Sequence, residues 1–500
     1  MKVGIVGAGA MGAGIAQVAA AAGEQVLLFD ARSQAAEEAI SGLRARFQQL
    51  AAKGKLSAEQ AEAAEHRLSP ASALTDLAAA QLVIEAIVED LDAKRALLRS
   101  LDAVLNPDCL IATNTSSLSL AALATALRMP ERLVGMHFFN PAPLMELVEV
   151  VGSVATSPAA LDQIATLARA WGKSPVRVRA TPGFIVNRVA RPFYAEGLRL
   201  LAEQSTDAAT LDALMREAGG FRMGPCELTD LIGQDVNFAV TRSVFAAYFG
   251  DPRFQPSLVQ QELVEAGWLG RKTGRGFYTY GTGAPTPSVT LESPRPAPRR
   301  VALLTAGEES GEALASRIEA AGIEVIREPH LPTDVLLRLS DGRTAAELES
   351  AGEQPQPTVV LDWALDYSKV KHLAAAASPR SLQPGHTAGW DAAVGALQAA
   401  GIAVTRLRDL PALAVLRTVA MLANEAADAV YFGVADARGV DLAMRKGVNY
   451  PLGPLEWADR IGIGRVASAL AALASFYGED RYRTSPLLRQ LLWTRGRFHE

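Results

Sequence analysis

Short apolar runs alternate with longer stretches of helical period through the first 180 residues, which predicts stacked β-α units on a mostly parallel sheet. KVGIV at 2–6 reads as a short buried strand, 11–22 as the helix after it, and QVLLFD, ending in Asp30, as a second strand. Residues 33–67 read as two helical stretches broken at Lys53-Gly54-Lys55. LVIEAIVEDLDAKRALL then runs from strand into helix, and CLIATNTSSLSL ends a strand at Thr113. Residues 183–280 carry mainly helical periodicity. The stretch 281–298, GTGAPTPSVTLESPRPAP, has no hydrophobic period and reads as an extended linker. Strand and helix alternate again over 299–405, and 406–500 returns to helix. The expected division is therefore 1–182, 183–280, the linker 281–298, 299–405 and 406–500.

The last part repeats an earlier one. Sliding the chain by 229 positions puts Pro182 on Pro411, Arg188 on Arg417, Glu196 on Glu425, Asp212 on Asp441 and Met215 on Met444. Gly224-Pro225 falls on Gly453-Pro454, Asp230 on Asp459, Gly233 on Gly462 and Tyr248 on Tyr477. Coincidence in an Ala/Leu-rich helical chain is the bland alternative. Matches concentrated in Gly, Pro and Asp at one offset argue for a duplicated helical domain.

Composition narrows the class. Five hundred residues exceed one core, and 49% hydrophobic with 21% charged residues is ordinary for globular proteins. A net charge of -5 without a basic face argues against a nucleic-acid partner. No run of about 18 uncharged apolar residues is present, so no membrane span is expected. The glycine-rich start is unlike a signal peptide. Two cysteines, Cys109 and Cys226, rule out a disulfide framework and point to a reducing, cytoplasmic setting.

The first strand leads into Gly7, Gly9 and Gly12 in G-x-G-x-x-G spacing. Such glycines permit a tight turn, close backbone approach to a pyrophosphate, and packing of the next helix on the strand. The helix start, with Ala10 and Met11, offers free N–H groups and a positive dipole end to phosphate. Asp30 follows Gly7 by 23 residues, where a carboxylate accepts from a ribose 2′-hydroxyl and repels a 2′-phosphate. NAD is therefore expected rather than NADP, the alternative being Asp30 as a plain strand-end turn residue. Asn114 to Ser117 lie just beyond a strand end, where ligands bind in open α/β sheets. No metal site is expected.

His137 follows an apolar run in LVGMHFFNPAPLMELVEVV, and Glu149 shares a strand face with Leu147 and Val151. A buried carboxylate needs a partner, and a histidine twelve residues earlier, across a Pro-containing turn, can return to it. Imidazole is a good base for an alcohol proton, and an adjacent carboxylate fixes its tautomer. The blander reading is a structural histidine.

GAGAMGAGIA, NTSSLS, HFFNPAPLMELVEV, TPGFIVNR and GRKTGRGFY, in this order, resemble the 3-hydroxyacyl-CoA dehydrogenase family of fatty-acid and aromatic-acid catabolism. RTVAMLANEAADAV and GVNYPLGPLEWAD look like its longer bacterial members, of the 3-hydroxyadipyl-CoA and 3-hydroxybutyryl-CoA dehydrogenase type. The resemblance implies a Rossmann-like NAD-binding domain with a helical-hairpin insertion, then a helical domain, a degenerate Rossmann-like module and a second helical copy. It implies reversible NAD-dependent oxidation of a (3S)-3-hydroxyacyl-CoA, with His137 as base and Glu149 as its partner. Ser116 and Asn187 match residues that hold the reacting oxygen and the thioester end. Glu89, Lys94, Asn140 and Lys272, with Asn114, match cofactor positions. Lys53, Lys55 and Ser116 fall where coenzyme A would lie, although the lysines equally suit a solvated turn. A non-catalytic NAD-binding protein and a dehydrogenase of small free hydroxy acids are the alternatives.

In the second half Leu416 stands at the place of Asn187, no HFFNP follows, and Glu308 and Glu309 would repel phosphate. The expectation is that 406–500 pairs with 183–280 inside one chain, and a role of 299–500 in higher assembly competes with it; a homo-oligomer is compatible with that pairing.

Overall fold

The computed structural model describes residues 1–305, 309–327, 333–351 and 357–499. They form two compact units, Met1–Arg188 with Phe432–Val448, and Val189–Tyr431 with Asn449–Glu500. Residues 432–448, read from the sequence with the last domain and holding the helix Ala437–Gly447, thus pack in the first unit.

The first unit holds an eight-stranded sheet of order β3-β2-β1-β4-β5-β6-β7-β8. Its strands are β1 Lys2–Val6, β2 Gln25–Phe29, β3 Leu68–Pro70, β4 Leu82–Glu85, β5 Leu110–Thr113, β6 Leu133–Phe138, β7 Leu147–Gly152 and β8 Ser174–Arg179. Every pair is parallel except β6 with β7. Strands β4, β6 and β7 are buried along their whole length, which is why they read as apolar runs rather than alternations. Neighbouring residues feed separate cores, Ile5 and Ile84 one, Val6 and Val83 the other, so both faces are covered. Helix α1, Ala10–Ala21, follows the glycine turn. Helices α2, Ala35–Ala52, and α3, Ala58–His66, make the hairpin, and α3 starts on a capping box between Ser57 and Gln60. Helix α4, Leu91–Val104, is capped by Asp90.

The second unit carries a six-stranded sheet of order β10-β9-β11-β12-β13-β14. These are β9 Arg300–Leu304, β10 Glu324–Ile326, β11 Leu336–Leu339, β12 Thr358–Leu361, β13 His372–Ala377 and β14 Ala403–Arg406. Here only β12 and β13 pair antiparallel. The stretch 281–298 is extended but pinned: the Glu292 N–H donates to Val404 O at 2.8 Å. Glu308 lies outside the described residues, as does the side chain of Glu309.

Within this unit the two helical copies meet, helix Arg191–Ala202 lying against Val415–Tyr431. Fully buried Arg417 donates from Nε to Glu196 at 2.6 Å, and from its terminal nitrogens to Glu203 at 3.1 Å and Tyr482 at 3.0 Å. Arg253 reaches across to Glu425 at 3.0 Å, and Arg199 to Glu479 at 2.5 Å. The duplicated domains pair inside one chain.

Candidate active site

The glycine turn assigns a separate task to each of its three glycines. Gly7 has φ +106, and a Cβ there would lie 2.6 Å from Ala86 O. A Cβ on Gly12 would lie 1.8 Å from Gly7 O, so only glycine lets α1 close on β1. Around Gly9 nothing stands within 4 Å, leaving open space over the helix start and its first N–H groups at Ala10, Met11 and Gly12. Asp30 Oδ2 accepts from the Ala8 N–H at 2.8 Å, which fixes the carboxylate beside this turn. The Arg32 side chain, with that amide, holds its carboxyl down at about 2 against the opposing effect of burial, so it is ionised at neutral pH. Open space, free amides and a fixed carboxylate together fit a dinucleotide.

Past the ends of β4 and β5, one carboxylate organises the polar turn. Glu89 Oε1 accepts from the Thr115 hydroxyl at 2.5 Å, the Ser116 N–H at 2.9 Å, and the Ser117 N–H and hydroxyl at 3.1 and 3.0 Å. Burial raises its pKa, but the Thr115 hydroxyl, Lys94 and these amides outweigh burial and leave it below the ordinary value. Ser116 is half-buried there. Asn114 is committed to the strand beside it, its Oδ1 accepting from the Phe138 N–H at 2.8 Å. Lys94, expected at the cofactor, is 1% exposed, and its Nζ donates to both oxygens of Glu85 at 2.9 and 2.8 Å. Its place is that of a buried counter-ion that steadies Glu89, 3.4 Å away.

His137 and Glu149 face each other directly in the antiparallel β6·β7 register. Nδ1 and Oε2 are 2.6 Å apart, with His137 6% exposed and Glu149 fully buried. The other carboxylate oxygen, Oε1, accepts from the Ile185 and Val186 N–H groups, both at 3.0 Å. Those amides open the short helix Val186–Val189, which also carries half-buried Asn187. A carboxylate so held only accepts, so Nδ1 carries the proton and Nε2 presents its lone pair. Phe139 and Phe184 wall the imidazole, with ring centroids at 4.6 and 5.7 Å. The loop after His137 returns to α1, where a Cβ on Gly14 would stand 3.2 Å from Ala142 Cβ.

The remaining candidates lie further out. Asn140 is exposed on the β6–β7 turn. Lys53 and Lys55 are exposed on the α2–α3 turn, and Lys55 borders a cleft of about 440 Å³ with Gln17, Phe47, Trp171 and Lys173. Lys272 belongs to the second unit, where Asp235 pairs with its Nζ at 2.6 Å. Among the described residues no cluster of His, Cys, Asp and Glu is placed to hold a metal, and no helix is long and apolar enough to cross a membrane.

Two parts of the site carried no role in the sequence reading. Glu85 ends the apolar run LVIE, and an acid buried there demanded a cation, which Lys94 supplies one helical turn into α4. The amides of Ile185 and Val186 have no side-chain signature; the only hint is the Pro182-Gly183 turn ahead of a helix start.

Comparison with known proteins decides the family. The model of the 3-hydroxyacyl-CoA dehydrogenase NAD binding domain matches residues 2–181, and that of the C-terminal domain matches 183–280 and again 414–497. A 3-hydroxybutyryl-CoA dehydrogenase reduced Rossmann-fold domain matches 337–411. The 3-hydroxyadipyl-CoA dehydrogenase of Escherichia coli (strain K12) is 46% identical over 489 residues, covering 98% of this chain and 96% of that one.

The chain belongs to the 3-hydroxyacyl-CoA dehydrogenase family.

A crystal structure of an Escherichia coli 3-hydroxybutyryl-CoA dehydrogenase superposes with a TM-score of 0.89 at 43% identity, covering 99% of this chain and 98% of that one. The mitochondrial hydroxyacyl-coenzyme A dehydrogenase of Sus scrofa is 39% identical over 282 residues, 55% of this chain and 90% of its own length. As a member of the 3-hydroxyacyl-CoA dehydrogenase family the chain is an NAD-dependent oxidoreductase, with a Rossmann-like N-terminal domain and a second, reduced Rossmann-like module.

Proposed function

We propose that this enzyme oxidises the 3-hydroxyl of a short or dicarboxylic (3S)-3-hydroxyacyl-CoA, with 3-hydroxybutyryl-CoA and 3-hydroxyadipyl-CoA as the substrates to try first. The observation that carries the reading is the His137–Glu149 pair, both of whose carboxylate oxygens have partners. His137 Nε2 takes the hydroxyl proton. Glu149 holds the imidazole in the tautomer that can accept it and stabilises the imidazolium that forms. Bound NAD supplies the hydride acceptor. As the carbonyl develops, Ser116 and Asn187 donate hydrogen bonds to its oxygen, each such donor being typically worth about 2.7–4 kcal/mol of barrier. Gly9 to Gly12 and Asp30 hold the dinucleotide, while Lys53 or Lys55 meets the coenzyme A phosphates. The buried free thiols of Cys109 and Cys226 suit a reducing cytoplasm.

Two measurements test this. His137→Gln should leave NAD affinity nearly unchanged and lower turnover by at least ~10²-fold. Undiminished turnover would refute the assignment of the base. Wild-type enzyme should oxidise 3-hydroxybutyryl-CoA and leave free 3-hydroxybutyrate untouched. Equal rates on both would replace the thioester reading with that of a free hydroxy-acid dehydrogenase.

A further inference from the structure

The carboxylate of Glu149 is held by a strand and a helix start, and both rest on a helix about 250 to 300 residues further along the chain. Helix Ala437–Gly447, from the second helical copy, packs on β7 and β8 within the first unit. Strand β8 is the edge of that sheet, and its Arg179 N–H donates to Val434 O at 2.8 Å, just ahead of this helix. Asp436 caps the helix, accepting from the Gly439 N–H at 2.6 Å. At the other end Lys446 Nζ pairs with Glu146 Oε2 at 2.7 Å.

Gly447 lies against both halves of the carboxylate's support. A Cβ there would come within 2.7 Å of Leu147 Cδ2 and 2.9 Å of Val186 Cγ2. Leu147 precedes Glu149 by two residues on the same strand face, and Val186 supplies one of the two amides that hold Oε1. Any larger side chain at 447 must push on one, the other, or both. The equivalent helix of the first copy, Ala208–Glu217, packs on β13 in the second unit, and the repeat puts Ala218 opposite Gly447. Each helical copy therefore braces a sheet. Only the brace that touches the catalytic strand ends in glycine.

We propose that Gly447 is a positioning residue: the duplicated helical copy sets the placement of Glu149, and through it of His137, by fitting glycine under Leu147 and Val186. This rests on the reading of His137 as the base. Lys446 anchors the same contact through Glu146.

Full-length Gly447→Val tests it, with 3-hydroxybutyryl-CoA and saturating NAD. Displacing an aligned group by about 1 Å can cost up to 10²-fold, so kcat should fall at least about tenfold. KM and the Kd for NAD should stay within about twofold, because neither the glycine turn nor Asp30 is touched. Adding Leu147→Ala, which clears space for the new side chain, should recover much of the lost kcat. A merely structural contact would instead lower Tm and leave kcat per folded molecule intact, and that result overturns the proposal. So does a kcat loss that Leu147→Ala leaves unrepaired. If Gly447→Val does not fold, Gly447→Ala and Lys446→Glu are read by the same kcat-against-KM criterion, and unchanged kcat in both likewise overturns it. His137→Gln run beside them separates the two claims. Full activity there sinks the base assignment and this proposal with it, whereas inactivity there with unaltered Gly447 variants sinks this proposal alone.

Discussion

The two sheets of this chain hold the same clamp and fill it differently. In the first, β6 and β7 run antiparallel with His137 opposite Glu149, and Glu149 reaches the amides of Ile185 and Val186. In the second, β12 and β13 run antiparallel and the Asp362 N–H donates to Ala374 O at 2.9 Å, putting Asp362 where His137 stands and Ala374 where Glu149 stands. The next parallel partner agrees: Glu149 pairs with Val176, Ala374 with Thr405, and the repeat places Thr405 on Val176. Asp362 itself accepts from the Ala414, Val415 and Leu416 N–H groups at 3.0, 2.7 and 3.1 Å. By the same repeat, Ala414 and Val415 are the counterparts of Ile185 and Val186. The helix start that receives a carboxylate has survived duplication, while the imidazole between carboxylate and substrate has not. A fully buried acid bound to amides cannot meet a substrate proton, so the second clamp is architecture and the first is chemistry.

Deleting each carboxylate in turn sharpens that contrast. Glu149→Ala should cost at least ~10² in kcat, since the imidazole loses both its tautomer and its counter-charge. Steady-state kinetics with 3-hydroxybutyryl-CoA measure it, and near-normal kcat would erase the distinction between the clamps. Asp362→Ala should leave kcat per folded molecule unaltered and cost stability instead. Three helix-start amides would lose their acceptor in the interior, each a penalty of about 1–3 kcal/mol, read by denaturant titration. An activity loss from Asp362→Ala would mean the second module still serves the reaction.

Much of this was legible in the sequence because it is local. The glycine spacing, the strand ending in Asp30, and the twelve-residue return from His137 to Glu149 are each contained in one β-α unit or one hairpin. The duplication was legible through Gly, Pro and Asp at turns and caps, where backbone geometry leaves few alternatives. The relic at Asp362 escaped because the strands and helices of the second half are displaced by different amounts. His137 and Glu149 map 225 positions on, the helix start 229, so one sliding offset could not align both. The brace at Gly447 escaped for another reason: helical period shows that Val440, Ala443 and Met444 share an inward face, but not what covers that face. Lys94 was recognised, but its burial against Glu85 follows from the strand end above it, a neighbour nine residues back whose depth the sequence does not record.

The smallest effect is a dependence of stability on pH that the second clamp should show. Burial pushes the Asp362 carboxyl up to about 6, against the lowering effect of the amides that bind it. The folded state therefore holds this proton more tightly than the unfolded chain, whose aspartate titrates near 3.9. A raised folded value means stability is gained as pH falls through 6 and levels off below the unfolded value. Between pH 7 and pH 5 the gain from this one group is about 1 kcal/mol. Asp212, also pushed up to about 6 by burial, adds a slope of the same sign, so wild type alone does not isolate it. Asp362→Asn keeps the shape and removes the proton. The stability difference between wild type and this variant should shift by that amount in favour of wild type on going from pH 7 to pH 5, as read from paired denaturant curves. Parallel curves across that range would mean that the four amides, Trp363 included, outweigh burial and keep Asp362 ionised.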